Sequence, residues 1–334
     1  MYFEADLKEK AAKFFRLALE RFSFPPNDIT IEVSTRCPQE CKVCFREPLG
    51  VLPADMSEEL FAAVTGRLKE AFGGKGPRYL NFVGLGEPFC NPGLYRMLRL
   101  AAQELPGTSL NVSTSLSVLD QAGFAALVEE GVVNRLSVSV DGLETGGAFH
   151  PFSDRIQNNF AFLRSLKGRH PAFKLRVQTL ITSRERVEAA VNFAADNGAD
   201  EVQLMRVDLH AFAGQAPAAR PPFKEERAIV KAARALARRR GLRARNNNSY
   251  NIFMDLASAL DRRCLTTDDH VFIDAEGGVL PCFYLRKVKF GSLADGSLAE
   301  ACGSARRLGF YAEQKALCRG CDIYRKKHCG GKGA

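Results

Sequence analysis

Strand-like and helix-like stretches alternate along this chain as far as residue 207, and that alternation limits the fold more than any composition figure. Ile29-Thr30-Ile31-Glu32-Val33-Ser34 has the period of two expected of a half-buried strand. Ser57, with Glu58 and Glu59 behind it, reads as a helix N-cap followed by an acidic first turn. Further strands are expected at Tyr79–Gly84, Ser109–Thr114, Arg135–Val140, Phe173–Ile181 and Glu201–Val207, with helical patterns between them. Six such βα units imply a parallel sheet with helices outside it. A closed barrel needs eight, so the expected fold is α/β, a partial (β/α)6 TIM-like barrel. The alternation also assigns faces. Ile29, Ile31, Leu136, Val138, Leu175 and Val177 should meet the helices, which leaves Glu32, Ser34, Ser137, Ser139, Asp141, Arg176 and Gln178 inside. A polar interior predicts a ligand cavity, with the chemistry beyond the C-terminal strand ends.

An amphipathic helix is expected within residues 1–28, ahead of the barrel at 29–210. Residues 211–260 read as a linker and a basic helix, and 261–334 as a small cysteine-rich domain with a hairpin at Val271–Asp274 and Val279–Tyr284. The net charge of +9 is concentrated: residues 220–245 hold ten basic and two acidic side chains. A solvated helix face explains this segment without further assumption; docking of an anionic partner is the alternative. Acidic residues near the N-terminus argue against a secretory signal, and no apolar run is long enough to span a membrane. A cytoplasmic location is therefore expected.

Ten cysteines in a reducing compartment point to metal or cluster ligation rather than disulfides. Cys37-Pro38-Gln39-Glu40-Cys41-Lys42-Val43-Cys44-Phe45 follows the first strand directly. Three thiolates in one loop can hold three irons of a 4Fe–4S cube and leave the fourth open. A zinc knuckle would want a fourth protein ligand, and no His lies nearby.

This motif resembles the signature of the radical S-adenosylmethionine superfamily, CxxxCxxC followed by an aromatic residue. The resemblance implies that Cys37, Cys41 and Cys44 ligate the cluster, that Phe45 lies at the cofactor, and that S-adenosylmethionine chelates the open iron. Gly84-Leu85-Gly86-Glu87-Pro88 is similar to the family's GGEP element, with Leu85 in place of a glycine. It implies that Gly86 and Glu87 contact the cofactor, Glu87 through the methionine ammonium. Ser139-Val140-Asp141-Gly142 resembles a further family element, so Ser139 becomes a cofactor candidate, as does Thr114 at the end of the third strand; strand-end hydrogen bonding explains either equally well. Arg176 is a candidate for cofactor or substrate, and a buried Arg needs an anion, supplied by a ligand or by Glu32.

Cys264, Cys282, Cys318 and Cys321 resemble the auxiliary-cluster domains SPASM and twitch. The resemblance implies one auxiliary 4Fe–4S cluster with these four ligands, Cys329 being able to replace one; a four-cysteine zinc site is the alternative. Cys90 and Cys302 stand alone and are read as small buried residues. No acid or base is assigned, although His210 and His328 lie nearest the expected sites.

These readings together predict a radical enzyme. It would cleave S-adenosylmethionine to a 5′-deoxyadenosyl radical, abstract a substrate hydrogen and pass an electron to the auxiliary cluster. The substrate would be a peptide or a small molecule such as a sugar alcohol, and the electron source a low-potential flavodoxin or ferredoxin. The short N-terminal region suggests no fused leader-peptide recognition domain. An electron carrier without radical chemistry is one competing reading. A radical enzyme acting on RNA is another, disfavoured because the basic segment has no interleaved aromatic residues.

Overall fold

Period-two segments flanked by amphipathic helices leave the backbone few ways to bury its apolar faces, and the chain adopts the parallel one. The computed structural model describes residues 26, 28–41, 43–141, 153–207, 220–246, 270–318 and 321. Strands β1 (Asp28–Ile31), β2 (Tyr79–Phe82), β3 (Ser109–Thr114), β4 (Arg135–Ser139), β5 (Lys174–Ile181) and β6 (Glu201–Arg206) stand side by side in chain order, all parallel. Helices α1 (Glu58–Ala71), α2 (Leu94–Glu104), α3 (Gln121–Glu129), α4 (Asp154–Arg169) and α5 (Arg184–Asp196) link them. Helix α1 begins where its sequence says: the Ser57 hydroxyl accepts the Leu60 N–H at 3.1 Å. The outward side chains Ile29, Ile31, Leu136, Val138, Leu175 and Val177 are buried in one core with Phe61, Leu98, Phe124 and Leu163 from the helices.

Two features enlarge the expected sheet. A seventh parallel strand, β7 (Arg243–Asn246), follows helix α6 (Phe223–Arg239) and pairs with β6. Its residues Arg-Ala-Arg-Asn carry no large apolar side chain, so hydrophobic periodicity does not reveal it. The expected C-terminal hairpin forms from β8 (His270–Ile273) and β9 (Gly278–Leu280), with β10 (Gly291–Ser292) antiparallel beyond it. It does not stand apart from the barrel. Strand β8 lies parallel on β1, pairing Asp28 with His270 and Ile31 with Ile273, so one ten-stranded sheet runs from β10 to β7. Helices α7 (Leu298–Gly303) and α8 (Ala305–Leu317) complete the C-terminal part.

Helix α6 buries Ile229, Val230, Ala233 and Ala237 and exposes Lys224, Arg227, Lys231, Arg234 and Arg238, which is what a solvated basic face requires. The opening helix, residues 211–219 of the linker, 247–249, Cys264, His210, His328 and Cys329 lie outside the described residues.

Inside the strands, the side chains that face the barrel interior are polar, as the alternation predicts. They bond to one another. Asn81 donates to Asp28 at 2.6 Å and accepts from Asn111 at 3.0 Å. Ser113, Gln178 and Gln203 form a second chain across β3, β5 and β6. Buried Arg176 is met by Glu201, which also pairs with Arg245 and lies 3.8 Å from Arg135. The anion expected beside Arg176 is thus Glu201 and not Glu32. Burial alone would raise the Glu201 carboxyl, but Arg176, Arg245 and Arg135 outweigh it and hold it low. These bonds satisfy most but not all of the buried polar groups at this level, the Ser137 hydroxyl having no partner among the described residues; the chemistry is assigned to the C-terminal strand ends.

Candidate metal and cofactor site

The chain leaves β1 through Glu32–Arg36 and enters the three-cysteine loop. Arg36 is fixed to Asp55, with Nε–Oδ1 at 3.1 Å, and donates to the Cys90 carbonyl at 2.7 Å. Arg46 folds back across the loop, its guanidinium donating to the carbonyls of Cys37 at 3.2 Å and Gln39 at 3.3 Å. Backbone N–H groups point at two of the sulfurs: Gln39 N to Cys37 Sγ at 3.4 Å, and Arg46 N to Cys44 Sγ at 3.5 Å. Burial pushes the Cys41 thiol up to about 12, with Cys37, Cys44 and Asp141 adding to it and Arg46 opposing. Burial likewise raises Cys37, helped by Glu87 and Cys44.

The donor set suits an iron–sulfur cube. Three soft sulfurs share eight positions, two already accept backbone N–H groups, and one guanidinium lies against the loop to balance negative charge. Among the described residues no three Cys, His, Asp or Glu side chains are already gathered as a metal site.

The loop Gly84–Glu87 is zipped along the segment that leads into the cysteines. A Cβ on Gly86 would stand 2.3 Å from the Ser34 carbonyl oxygen, and Glu87 N donates to the Arg36 carbonyl at 2.8 Å. The close approach that makes Gly86 a glycine is thus to the chain's own backbone, where the sequence suggested a ligand. The buried Glu87 carboxylate accepts from the hydroxyls of Thr114 (2.8 Å) and Ser115 (2.6 Å) and from the N–H groups of Ser115 (2.7 Å) and Phe89 (3.3 Å). Burial raises its pKa and these four bonds pull it back. Thr114 also accepts the Leu116 N–H at 2.8 Å, so its hydroxyl is engaged twice in the strand-end turn. That turn is tight enough to hold Leu116, a buried non-glycine residue, at a φ of 62°.

Ser139 ends β4 and is partly buried. Beside it, Asp141 accepts the Leu180 N–H, and burial pushes its carboxyl up to about 6. Phe45 meets the ring of Tyr284 edge-on, with centroids 5.0 Å apart. That contact joins the first cysteine loop to the segment just beyond Cys282. Cys318 and Cys321 are buried at the end of α8, where Cys321 N donates to the Cys318 carbonyl at 3.0 Å. Cys302 is a core residue, its thiol pushed up to about 11 by burial. Cys90 is not isolated: after burial, Glu87 and Cys37 are what raise its thiol to about 11. Arg46, Ser115 and Arg286 carry contacts that motif reading missed, since each lies just outside a recognisable pattern.

Residues 31–194 match the Radical SAM superfamily, and residues 264–322 match SPASM, an iron-sulfur cluster-binding domain. A PqqA peptide cyclase of Xanthomonas campestris pv. campestris (strain 8004) is 24% identical over 312 residues, spanning 89% of this chain and 79% of that protein. The crystal structure of Streptococcus suis SuiB bound to precursor peptide SuiA superposes with a TM-score of 0.71 at 13% identity, covering 99% of this chain and 80% of SuiB. The structure of anSMEcpe with bound AdoMet gives a TM-score of 0.65 at 17% identity, covering 91% and 88%. At those identities the structural likeness is one of fold. No described helix is long and apolar enough to cross a membrane.

Proposed function

The chain belongs to the Radical SAM superfamily and carries a SPASM domain, and from that premise we propose that it oxidatively closes or modifies a bond in a peptide substrate. When bound, a 4Fe–4S cluster and S-adenosylmethionine together supply one-electron cleavage of the S–C5′ bond, giving a 5′-deoxyadenosyl radical that takes a hydrogen atom from the substrate. Cys37, Cys41 and Cys44 would hold that cluster, and Arg46 holds their loop in shape. Glu87 fixes the turn after β3 through Thr114 and Ser115; to receive a methionine ammonium it would exchange one of its present donors. Phe45, Gly86 and Ser139 border the same strand ends, whereas Arg176 acts on Glu201 and so bears on the cofactor only indirectly. Cys264, Cys282, Cys318 and Cys321 would hold an auxiliary 4Fe–4S cluster, which would supply an electron acceptor. A low-potential flavodoxin or ferredoxin in the cytoplasm would supply the electron that starts each turnover.

The observation that carries this reading is the Phe45–Tyr284 contact, which joins the three-cysteine loop to the residues flanking Cys282. What supports a peptide over a sugar alcohol is the alignment with a PqqA peptide cyclase along most of the chain.

Anaerobic reconstitution, iron and sulfide counts, and 5′-deoxyadenosine formation with dithionite test the proposal. About eight irons per chain are expected, falling to about four in a Cys37/Cys41/Cys44 triple Ala variant that makes no 5′-deoxyadenosine. A fully loaded wild type that makes none would leave an electron carrier. About four irons with bound zinc would overturn the auxiliary cluster.

A further inference from the structure

Glu32 directly follows β1, ahead of the cysteine loop, and it is 1% exposed. A buried carboxylate needs partners, and Glu32 has two from distant parts of the chain. Leu85 N donates to its Oε1 at 2.7 Å, and Arg286 Nη2 donates to its Oε2 at 2.6 Å. Gly84 makes the arrangement possible, since a Cβ there would stand 2.3 Å from Glu32 Cγ. Leu85 occupies the position where the chain departs from the family's glycine, and what that position contributes is its N–H. Arg286 lies four residues beyond Cys282 and two beyond Tyr284, whose ring meets Phe45. The segment 282–286 is thus tied to the first site twice, by a ring contact and by a buried ion pair. The second tie continues through one carboxylate into the loop Gly84–Glu87.

We propose that Glu32 and Arg286 are positioning residues through which the segment around Cys282 fixes the loop Gly84–Glu87, so that loss of the auxiliary site weakens S-adenosylmethionine binding at the first. This inference rests on the reading that the loop receives S-adenosylmethionine and that Cys282 serves an auxiliary cluster. The pair carries force because a buried carboxylate stripped of its cation is left uncompensated; Glu32 would then leave its present place and release the Leu85 N–H that it now holds. Coupling of this kind is reciprocal: whatever the auxiliary segment does to cofactor affinity, bound cofactor does to the auxiliary segment.

The test compares wild type, Arg286→Met, Arg286→Lys, Cys318→Ala/Cys321→Ala and the triple combination with Arg286→Met. S-adenosylmethionine affinity of the reconstituted proteins is measured by anaerobic equilibrium dialysis. Arg286→Met should weaken binding roughly ten-fold, within the ordinary range of coupling energies, and Arg286→Lys should recover most of it. Removing the two cysteines should weaken binding in the wild-type background and add nothing once Arg286 is Met. That non-additivity is what an independent packing defect would not produce. In the iron-free protein, amide exchange at Leu85 should quicken about ten-fold in Arg286→Met, although residue 286 is remote in sequence. If Arg286→Met fails to fold, Glu32→Gln/Arg286→Met, which buries no unpaired charge, takes its place with the same expected loss of affinity.

Affinity within two-fold of wild type, with unchanged Leu85 exchange, would overturn the proposal. Additive losses would overturn the coupling. A wild type that binds no S-adenosylmethionine would overturn the cofactor reading as well; Leu85 exchange would then still report whether Arg286 holds the loop.

Discussion

Four donors converge on Glu87, three guanidiniums on Glu201, and one backbone N–H together with one guanidinium on Glu32. In each case a carboxylate taken out of water is held by groups from neighbouring strands or loops, and the donors it attracts decide what it can still do. Asp141 is a further carboxyl that burial raises. It accepts from Leu180 and from the Thr179 hydroxyl, while burial lifts it from 3.8 to about 6. The sign follows from linkage: a carboxyl whose folded pKa is raised favours the folded state fully below its unfolded value, and that contribution is lost as pH rises through the folded one. Asp141→Asn should therefore leave the iron-free protein's stability unchanged relative to wild type near pH 4. It should gain about 1–3 kcal/mol in relative stability by pH 7, the lower end allowing for partial exposure. Urea unfolding of both proteins across that range reads the difference; one that does not vary with pH would refute the assignment. The inward direction of Asp141, Arg176 and Gln178 was readable from strand alternation, because direction depends only on the period of two. Their partners were not, because Glu201 reaches Arg176 through strand register, which a single sequence does not display.

At the scale of elements, the strands and helices of the barrel appear within a few residues of where periodicity and capping place them, Ser57 being the clearest case. The cysteine loop was legible from spacing, and β7 was not, since Arg243 and Arg245 look like the continuation of a basic helix. The turn after β3 was half legible: Thr114 stood out as a strand-end hydroxyl, but Ser115 gives Glu87 two bonds to Thr114's one. The contact with the most to say about function joins two elements far apart in sequence. Phe45 and Tyr284 meet edge to face, a geometry that contributes about 0.5–1.5 kcal/mol beyond area burial. A double-mutant cycle with Phe45→Leu and Tyr284→Leu, followed by thermal unfolding of the iron-free protein, should return a coupling energy in that range. Fully additive losses would mean that the two segments pack independently.

At the scale of the whole molecule, the C-terminal part is held by the backbone as well as by any cluster. Strand β8 completes the β1 edge of the parallel sheet, and Glu32 N donates to the Ile273 carbonyl at 2.9 Å just past the end of that pairing. Composition marks the region after Cys264 as distinct, which is why it reads as a separate domain; pairing across some 240 positions leaves no local trace in sequence. The consequence concerns how the protein can be divided. An autonomous barrel would survive removal of the auxiliary region, but here the cut exposes a row of unpaired N–H and C=O groups along β1, beside Ile29 and Ile31 of the core. A chain ending at residue 269 should therefore aggregate, or stay folded only with loss of the first cluster's iron, even though Cys37, Cys41 and Cys44 are all retained. The matched control is the full-length chain with Cys282, Cys318 and Cys321 changed to Ser, which keeps β8 on β1. It should remain monodisperse in size-exclusion chromatography and hold about four irons. If the truncated chain behaved as well as that control, the sheet would not need its β8 edge, and the two regions would be separable after all.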